Sequence, residues 1–122
     1  IVYLIVSVYE PSSFYIGWSQ DISARMKSHN SGIGSRESSD PSKRPWGLLA
    51  YVAGFDYSKS RMRTFELRWQ NLARQVQPRS AIHAAELAQR VIDRHGDTDA
   101  LHLIMAGDCV KSRNAPVLVV IA

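Results

Sequence analysis

The chain opens on an unbroken apolar, β-branched run, Ile1-Val2-Tyr3-Leu4-Ile5-Val6-Ser7-Val8. A run of this length is far too short to span a membrane, and its Val and Ile content favours a buried strand over a helix. Pro11-Ser12-Ser13 breaks it and Phe14 to Trp18 resumes strand-like composition, which predicts an antiparallel hairpin with a connection of about four or five residues. Alternate side chains of a strand share a face, so Tyr3 and Tyr15 can fall together on one side of the sheet.

Such a hairpin needs apolar cover from later segments. From Asp21 to Asn30 the pattern turns helical, with Ser19 or Asp21 as N-cap and Gly32 as stop. Arg25 and His29, four residues apart, stack on one helix face, and Ile22 and Met26 form the neighbouring stripe that holds the helix on the sheet. Ser31 to Pro45, rich in Ser and Gly, reads as a long exposed loop, which a compact domain seldom keeps without a use. Trp46 to Phe55 is expected to be a third strand. A helix from Ser58 to Gln75, capped by Asp56 or Ser58, turns Met62, Phe65, Trp69, Leu72 and Val76 to the core and leaves Glu66 at the border with solvent. A helix from Arg79 to His95 ended by Gly96, a shorter one around Thr98 to Ala106, and a last strand Val117 to Ile121 complete the expected order. No internal repeat is present. The fold class expected is α+β: a small, mostly antiparallel three-stranded sheet flanked by helices, with a C-terminal helical extension and room for a fourth strand.

With 122 residues the chain has volume for one domain, a motif-bearing core over 1–75 and an extension over 76–122. Its 45% hydrophobic and 21% charged content excludes disorder and fibrous repeats. No apolar run is long enough for a membrane span and no signal peptide opens the chain, so an intracellular protein is expected, nuclear in a eukaryote and otherwise cytoplasmic. A first residue of Ile reads as a chain trimmed from a longer one. The lone Cys109 closes no internal disulfide and no CxxC zinc site exists, which fits a reducing compartment. His83, His95 and His102 have no partners at metal-ligand spacing.

Charge is uneven. Residues 1–79 hold eleven of the fifteen Lys and Arg against six carboxylates, a net +5, whereas residues 80–122 carry a net −1. A positive field confined to one part of a small domain attracts a polyanion, because neutralising phosphates releases condensed counterions. Lys27, Arg36, Lys43, Arg44, Lys59, Arg61, Arg63, Arg68 and Arg74 are candidate phosphate contacts, with Gln70 and Asn71 as polar companions. The loss of positive charge after residue 80 suits a protein-docking face, for a regulatory subunit or a homodimer.

Ile1-Val2-Tyr3, Tyr15-Ile16-Gly17, Arg25 with His29 four residues on, and Glu66 stand in the order of the elements of the GIY-YIG nuclease domain, which this chain resembles over about residues 1–75. The Tyr-Ile-Gly motif matches letter for letter, while Ile1 replaces the first Gly and the family's late Asn has two candidates, Gln70 and Asn71. Phe65-Glu66 followed by Trp69-Gln70 is further similar to the Slx-type branch, whose members cut branched DNA. No Cys/His array of the kind that branch carries follows here. The resemblance implies a metal-dependent endonuclease acting on DNA rather than RNA. It further implies Tyr3 as general base or water-orienting group, Tyr15 positioning water or phosphate, Arg25 gripping the scissile phosphate, His29 helping to accept the proton, and Glu66 holding Mg²⁺ or Mn²⁺. A hard, single carboxylate suits such ions, which keep most of their waters. A phenol is a poor base at neutral pH, so Arg25 and the metal are expected to lower the pKa of Tyr3. The alternatives are an RNA-processing nuclease of the same fold and a non-catalytic nucleic-acid-binding module.

Overall fold

The computed structural model describes residues 1–35, 38–95 and 100–106. The predicted Arg36 contact, the Gly96 helix stop, Cys109 and the expected strand at Val117 to Ile121 lie outside them. Strand β1 (Val2–Ser7) and β2 (Phe14–Trp18) form the expected hairpin, followed by helix α1 (Ile22–Asn30), a short 3₁₀ turn (Pro41–Lys43), β3 (Trp46–Ala53), α2 (Lys59–Val76), α3 (Ala81–Arg94) and β4 (His102–Met105). The sheet is antiparallel throughout, in the order β2-β1-β3-β4.

The sheet has four strands among the described residues rather than three, because residues 102–105 are not the short helix expected there. His102 to Met105 pair with β3 from Ala53 to Ala50 and alternate between exposed and half-buried. So short a segment gains little from helical hydrogen bonds, whereas the open edge of β3 offers a complete ladder to pair with. That choice depends on a partner distant in sequence and leaves no local signature.

Helix ends follow local chemistry. The Asp21 carboxylate accepts from the Ala24 N–H, and the hydroxyls of Ser58 and Ser80 accept from the N–H groups of Arg61 and His83, so each helix starts on a side-chain cap. At the far end of α1, the side chain of Asn30 accepts from the Trp46 N–H and donates to the Trp46 carbonyl, pinning the helix to the start of β3.

The period of two along β1 separates two cores. Val2, Leu4 and Val6 face one side and pack with Phe65, Trp69, Leu72 and the Ala84, Ala88 and Ile92 stripe of α3. Tyr3 and Ile5 face the other and pack with Met26, Trp46 and Leu48. Helix α3 thus belongs to the main core, its alanines allowing close approach to α2, and the Trp69 indole donates to the Ala84 carbonyl at 2.9 Å.

Candidate active site

The smaller core carries the polar residues singled out in the sequence. The hairpin register sets Tyr3 opposite Gly17 and Ile5 opposite Tyr15, so both phenols leave the same face, with ring centroids 6.4 Å apart. Helix α1 lies over that face through the fully buried Met26, and its next turn delivers His29 between the two tyrosines. The imidazole centroid is 5.8 Å from that of Tyr3 and 5.2 Å from that of Tyr15. His29 Nε2 lies 2.7 Å from the Tyr3 hydroxyl, and Arg25 donates from Nε to the same oxygen at 3.3 Å. Arg25 and His29 therefore meet one phenol from one helix face, as their spacing predicted.

Gly17 explains the last letter of the Tyr-Ile-Gly motif. A Cβ there would sit 2.6 Å from the Tyr3 hydroxyl oxygen and 2.9 Å from the Tyr15 ring, closer than real side-chain carbons approach. The motif is thus a packing condition: any larger residue would push the tyrosines apart.

Glu66 stands on α2, the helix that packs on the other face of the sheet. That helix is fastened to the edge strand β2 by Gln70, whose Nε2 donates to the Ile16 carbonyl at 2.8 Å, one turn beyond Glu66 on the same face. Glu66 is half-buried, and its charge acts on Tyr3 and interacts with Arg25 and Arg63. Of the two candidates for the late polar residue, Gln70 faces β2 and lines, with Tyr15, Phe14, Arg74 and Pro78, an open cleft of about 470 Å³. Asn71 is exposed on another face and accepts from Arg74.

The electrostatics of the site show what Arg25 does to Tyr3 by itself, without the metal ion that was expected to act beside it. Tyr3 has no accessible surface, and burial pushes its phenol up to about 12 despite the hydrogen bond and positive field of Arg25, with Tyr15 and Glu66 adding to the rise. The nearby cation does not win because desolvating a phenolate costs more than one half-exposed guanidinium returns. Burial, then the field of Arg25, lowers His29 to about 4, so the imidazole is neutral at pH 7. Burial disfavours the charge on Arg25, but its hydrogen bonds to Tyr3 and Tyr15 and their fields outweigh that and raise its pKa. Burial also raises Glu66, against the pull of Arg63 and Arg25.

The loop between α1 and β3 was expected to be exposed, yet Gly34 and Ser38 are buried in it. Ser38 was missed in the sequence. Its hydroxyl lies 2.5 Å from His29 Nδ1, and its carbonyl accepts from the Trp46 indole at 3.1 Å. One serine among several in a Ser-rich loop gives no local sign that it will be drawn under a helix.

The basic candidates divide by position. Lys59 and Arg63 share the Glu66 side of α2 by helical spacing, while Arg61 and Arg68 line a different recess with Phe55, Phe65 and Leu101. Lys27 is exposed on α1, Lys43 and Arg44 are half-exposed at the 3₁₀ turn, and Arg74 is exposed near the end of α2. Among the described residues no cluster of three or more His, Cys, Asp or Glu forms a metal cage. His29 is occupied on both nitrogens. A single half-buried carboxylate, Glu66, fits a cation that keeps most of its water shell rather than an ion fully enclosed by protein.

The phenols of Tyr3 and Tyr15, the imidazole of His29 and the half-exposed guanidinium of Arg25 thus share one face of a small antiparallel sheet, and the match that follows gives the domain its class, a phosphodiester-hydrolysing nuclease domain. The chain belongs to the GIY-YIG catalytic domain family, whose model matches residues 1–80. It is 36% identical over 72 residues to the structure-specific endonuclease subunit SLX1 of Kluyveromyces lactis, covering 57% of this chain and 25% of that protein. It is 35% identical over 72 residues to slx1 of Talaromyces marneffei, and 37% identical over 71 residues to slx1 of Aspergillus niger, covering 57% of this chain each time and 18% and 16% of those proteins. The chain thus spans a quarter or less of the length of these curated relatives.

Proposed function

We propose that this domain is a metal-dependent endonuclease that hydrolyses phosphodiester bonds in DNA and selects branched or flapped duplexes by shape. The observation that carries the reading is the convergence of Tyr3, Tyr15, Arg25 and His29 on one face. The names of the relatives, structure-specific endonuclease subunits, support both the selectivity and assembly with another polypeptide. Such an enzyme works in a DNA-containing compartment, the nucleus of a eukaryote or the cytoplasm of a prokaryote, in a repair or recombination role. No described helix is long and apolar enough to cross a membrane.

In this mechanism a water attacks phosphorus in line, the new P–O bond forming as the bond to the 3′ oxygen breaks, and the 3′ oxygen leaves with a proton from solvent. Tyr3 takes a proton from the attacking water and passes its own to His29 Nε2, 2.7 Å away. At rest both groups are neutral, the phenol holding its proton and the imidazole able to take one; the field of Arg25 is among the causes that weaken the imidazole as a base, so a phosphate that neutralises that guanidinium favours the transfer. Arg25 is half-exposed and lies over the phenol, so a phosphate that draws the guanidinium away also uncovers the Tyr3 oxygen. Tyr15, half-exposed on the same imidazole, orients water or phosphate at the mouth. Glu66 would hold Mg²⁺ or Mn²⁺, which when bound neutralises charge on the phosphate oxygens and the leaving oxygen. Arg63 and Lys59 extend the positive surface alongside.

The test is cleavage of a labelled branched DNA duplex by the whole chain with Mg²⁺ or Mn²⁺, with EDTA and the corresponding RNA junction as controls. Cleavage of DNA that EDTA stops is expected, and Glu66→Gln should lose about a thousandfold or more in rate while still binding the duplex. Undiminished cutting by Glu66→Gln, or cutting that survives EDTA, overturns the mechanism. Binding by the parent without any cleavage identifies a non-catalytic module instead.

A further inference from the structure

A phenol that acts as a base must dispose of its own proton, and the structure shows how the acceptor is prepared. Tyr3 is buried, neutral at rest and bonded to two groups, Arg25 Nε and His29 Nε2. Arg25 can only donate. For the phenol proton to be used, Nε2 must therefore be the bare, accepting nitrogen, which puts the imidazole proton on Nδ1. The atom facing Nδ1 is the Ser38 hydroxyl oxygen at 2.5 Å.

The hydrogen count around Ser38 closes in this direction. Its own O–H has an acceptor in the Ser35 hydroxyl oxygen at 2.8 Å, leaving its lone pairs for Nδ1–H. The Ser38 N–H donates to the same Ser35 oxygen at 3.0 Å, and the Trp46 indole donates to the Ser38 carbonyl. Ser38 is fully buried and held at three points, so it is a rigid acceptor rather than a rotating surface hydroxyl. Gly34 lets the loop come this close, since a Cβ there would lie 2.5 Å from His29 Nδ1.

We infer that Ser38 is a positioning residue: by accepting from His29 Nδ1–H it holds the imidazole in the tautomer whose Nε2 receives the Tyr3 proton. The inference rests on the base role given to Tyr3 in the proposed function. As the proton crosses from the Tyr3 oxygen to Nε2, positive charge appears on the ring, and the Nδ1–H···O bond to Ser38 becomes charge-assisted and strengthens. The proton relay balances as the P–O bond forms: the water loses a proton to the phenol oxygen, the phenol loses its original proton to Nε2, and Nδ1 keeps its own.

The test combines ¹⁵N shifts of the His29 ring, which report the protonated nitrogen, with steady-state cleavage of a branched DNA duplex. In the parent chain the Nδ1–H tautomer is expected. Ser38→Ala should give a mixture of tautomers and lower kcat about ten- to a hundredfold with KM within about twofold, the size seen when an orienting partner of a functional histidine is lost. Ser38→Thr, which keeps the hydroxyl, should restore both. An Nε2–H tautomer in the parent overturns the inference even where Ser38→Ala fails to fold. So does a folded Ser38→Ala chain with parental kcat. A parent that shows Nδ1–H but cuts nothing defeats the nuclease reading while leaving the Ser38 contact as assigned.

Discussion

The two faces of β1 carry opposite kinds of interior. On one, Val2, Leu4 and Val6 meet Phe65, Trp69, Leu72 and the small residues of α3, a wholly apolar packing. On the other, Tyr3 sits among Met26, Trp46 and Leu48 but is tied to Arg25 and His29, and through His29 to Ser38. The first face lowers free energy by removing apolar area from water, a non-directional effect that tolerates substitutions of similar volume. The second depends on directed bonds among desolvated polar groups, where losing one partner strands another. One strand, read at a period of two, thus separates what keeps the domain folded from what is poised to react.

If the two faces are independent, damage to one should leave the property carried by the other intact. Trp69→Ala on the apolar face should cost about 3–5 kcal/mol in denaturant unfolding, much of a small domain's stability, because it leaves a large cavity and removes the indole bond to Ala84. The chains still folded should cut at close to the parental rate. A parental melting curve with lost activity would mean that the two faces are not independent. Arg25→Ala on the polar face should do the reverse, lowering cleavage about a hundred- to a thousandfold with a small change in stability, as when a donor to developing charge is removed.

A pH titration separates the faces by a different route. His29 binds its proton near 6.5 when unfolded and at about 4 when folded, so between these values the unfolded chain holds more protons. Stability from this group is present above about pH 6.5 and is lost as pH falls toward 4, by up to about 3 kcal/mol. His29→Gln should flatten that portion of the curve in a series of urea melts from about pH 7 to about pH 4; an unchanged slope would show that the imidazole is not desolvated. The smallest effect is expected outside both cores. Arg63→Ala should weaken duplex binding only a few-fold and reduce the slope of log affinity against log salt by about one, the value for a single phosphate contact.

Much of the site could be read along the chain because its parts are local. Tyr3 and Tyr15 follow from strand alternation across a hairpin, Arg25 and His29 from helical spacing, and Glu66 from its place beside an apolar stripe. Gly17 was visible as a letter in a motif, but its reason, the 2.6 Å approach of the Tyr3 oxygen to a would-be Cβ, needed the pairing with β1. Residues 102–105 carried no sign of choosing a strand, since the open edge of β3 decides it. Ser38 was likewise silent.

What the sequence by itself determined are the quantities set within a few residues: helix starts to within a residue or two, at Ser19 or Asp21, at Asp56 or Ser58 and near Arg79, which residues of β1 share a face, and which helix faces are apolar. These follow from backbone geometry and nearest-neighbour hydrogen bonds, which are fully encoded in short segments. Only the tertiary structure decided how dry each polar group is and which partner it finds. That is why burial outweighs the pull of Arg25 on the Tyr3 phenol, and why a loop serine faces His29: solvation and long-range contact exist only once the chain has closed on itself.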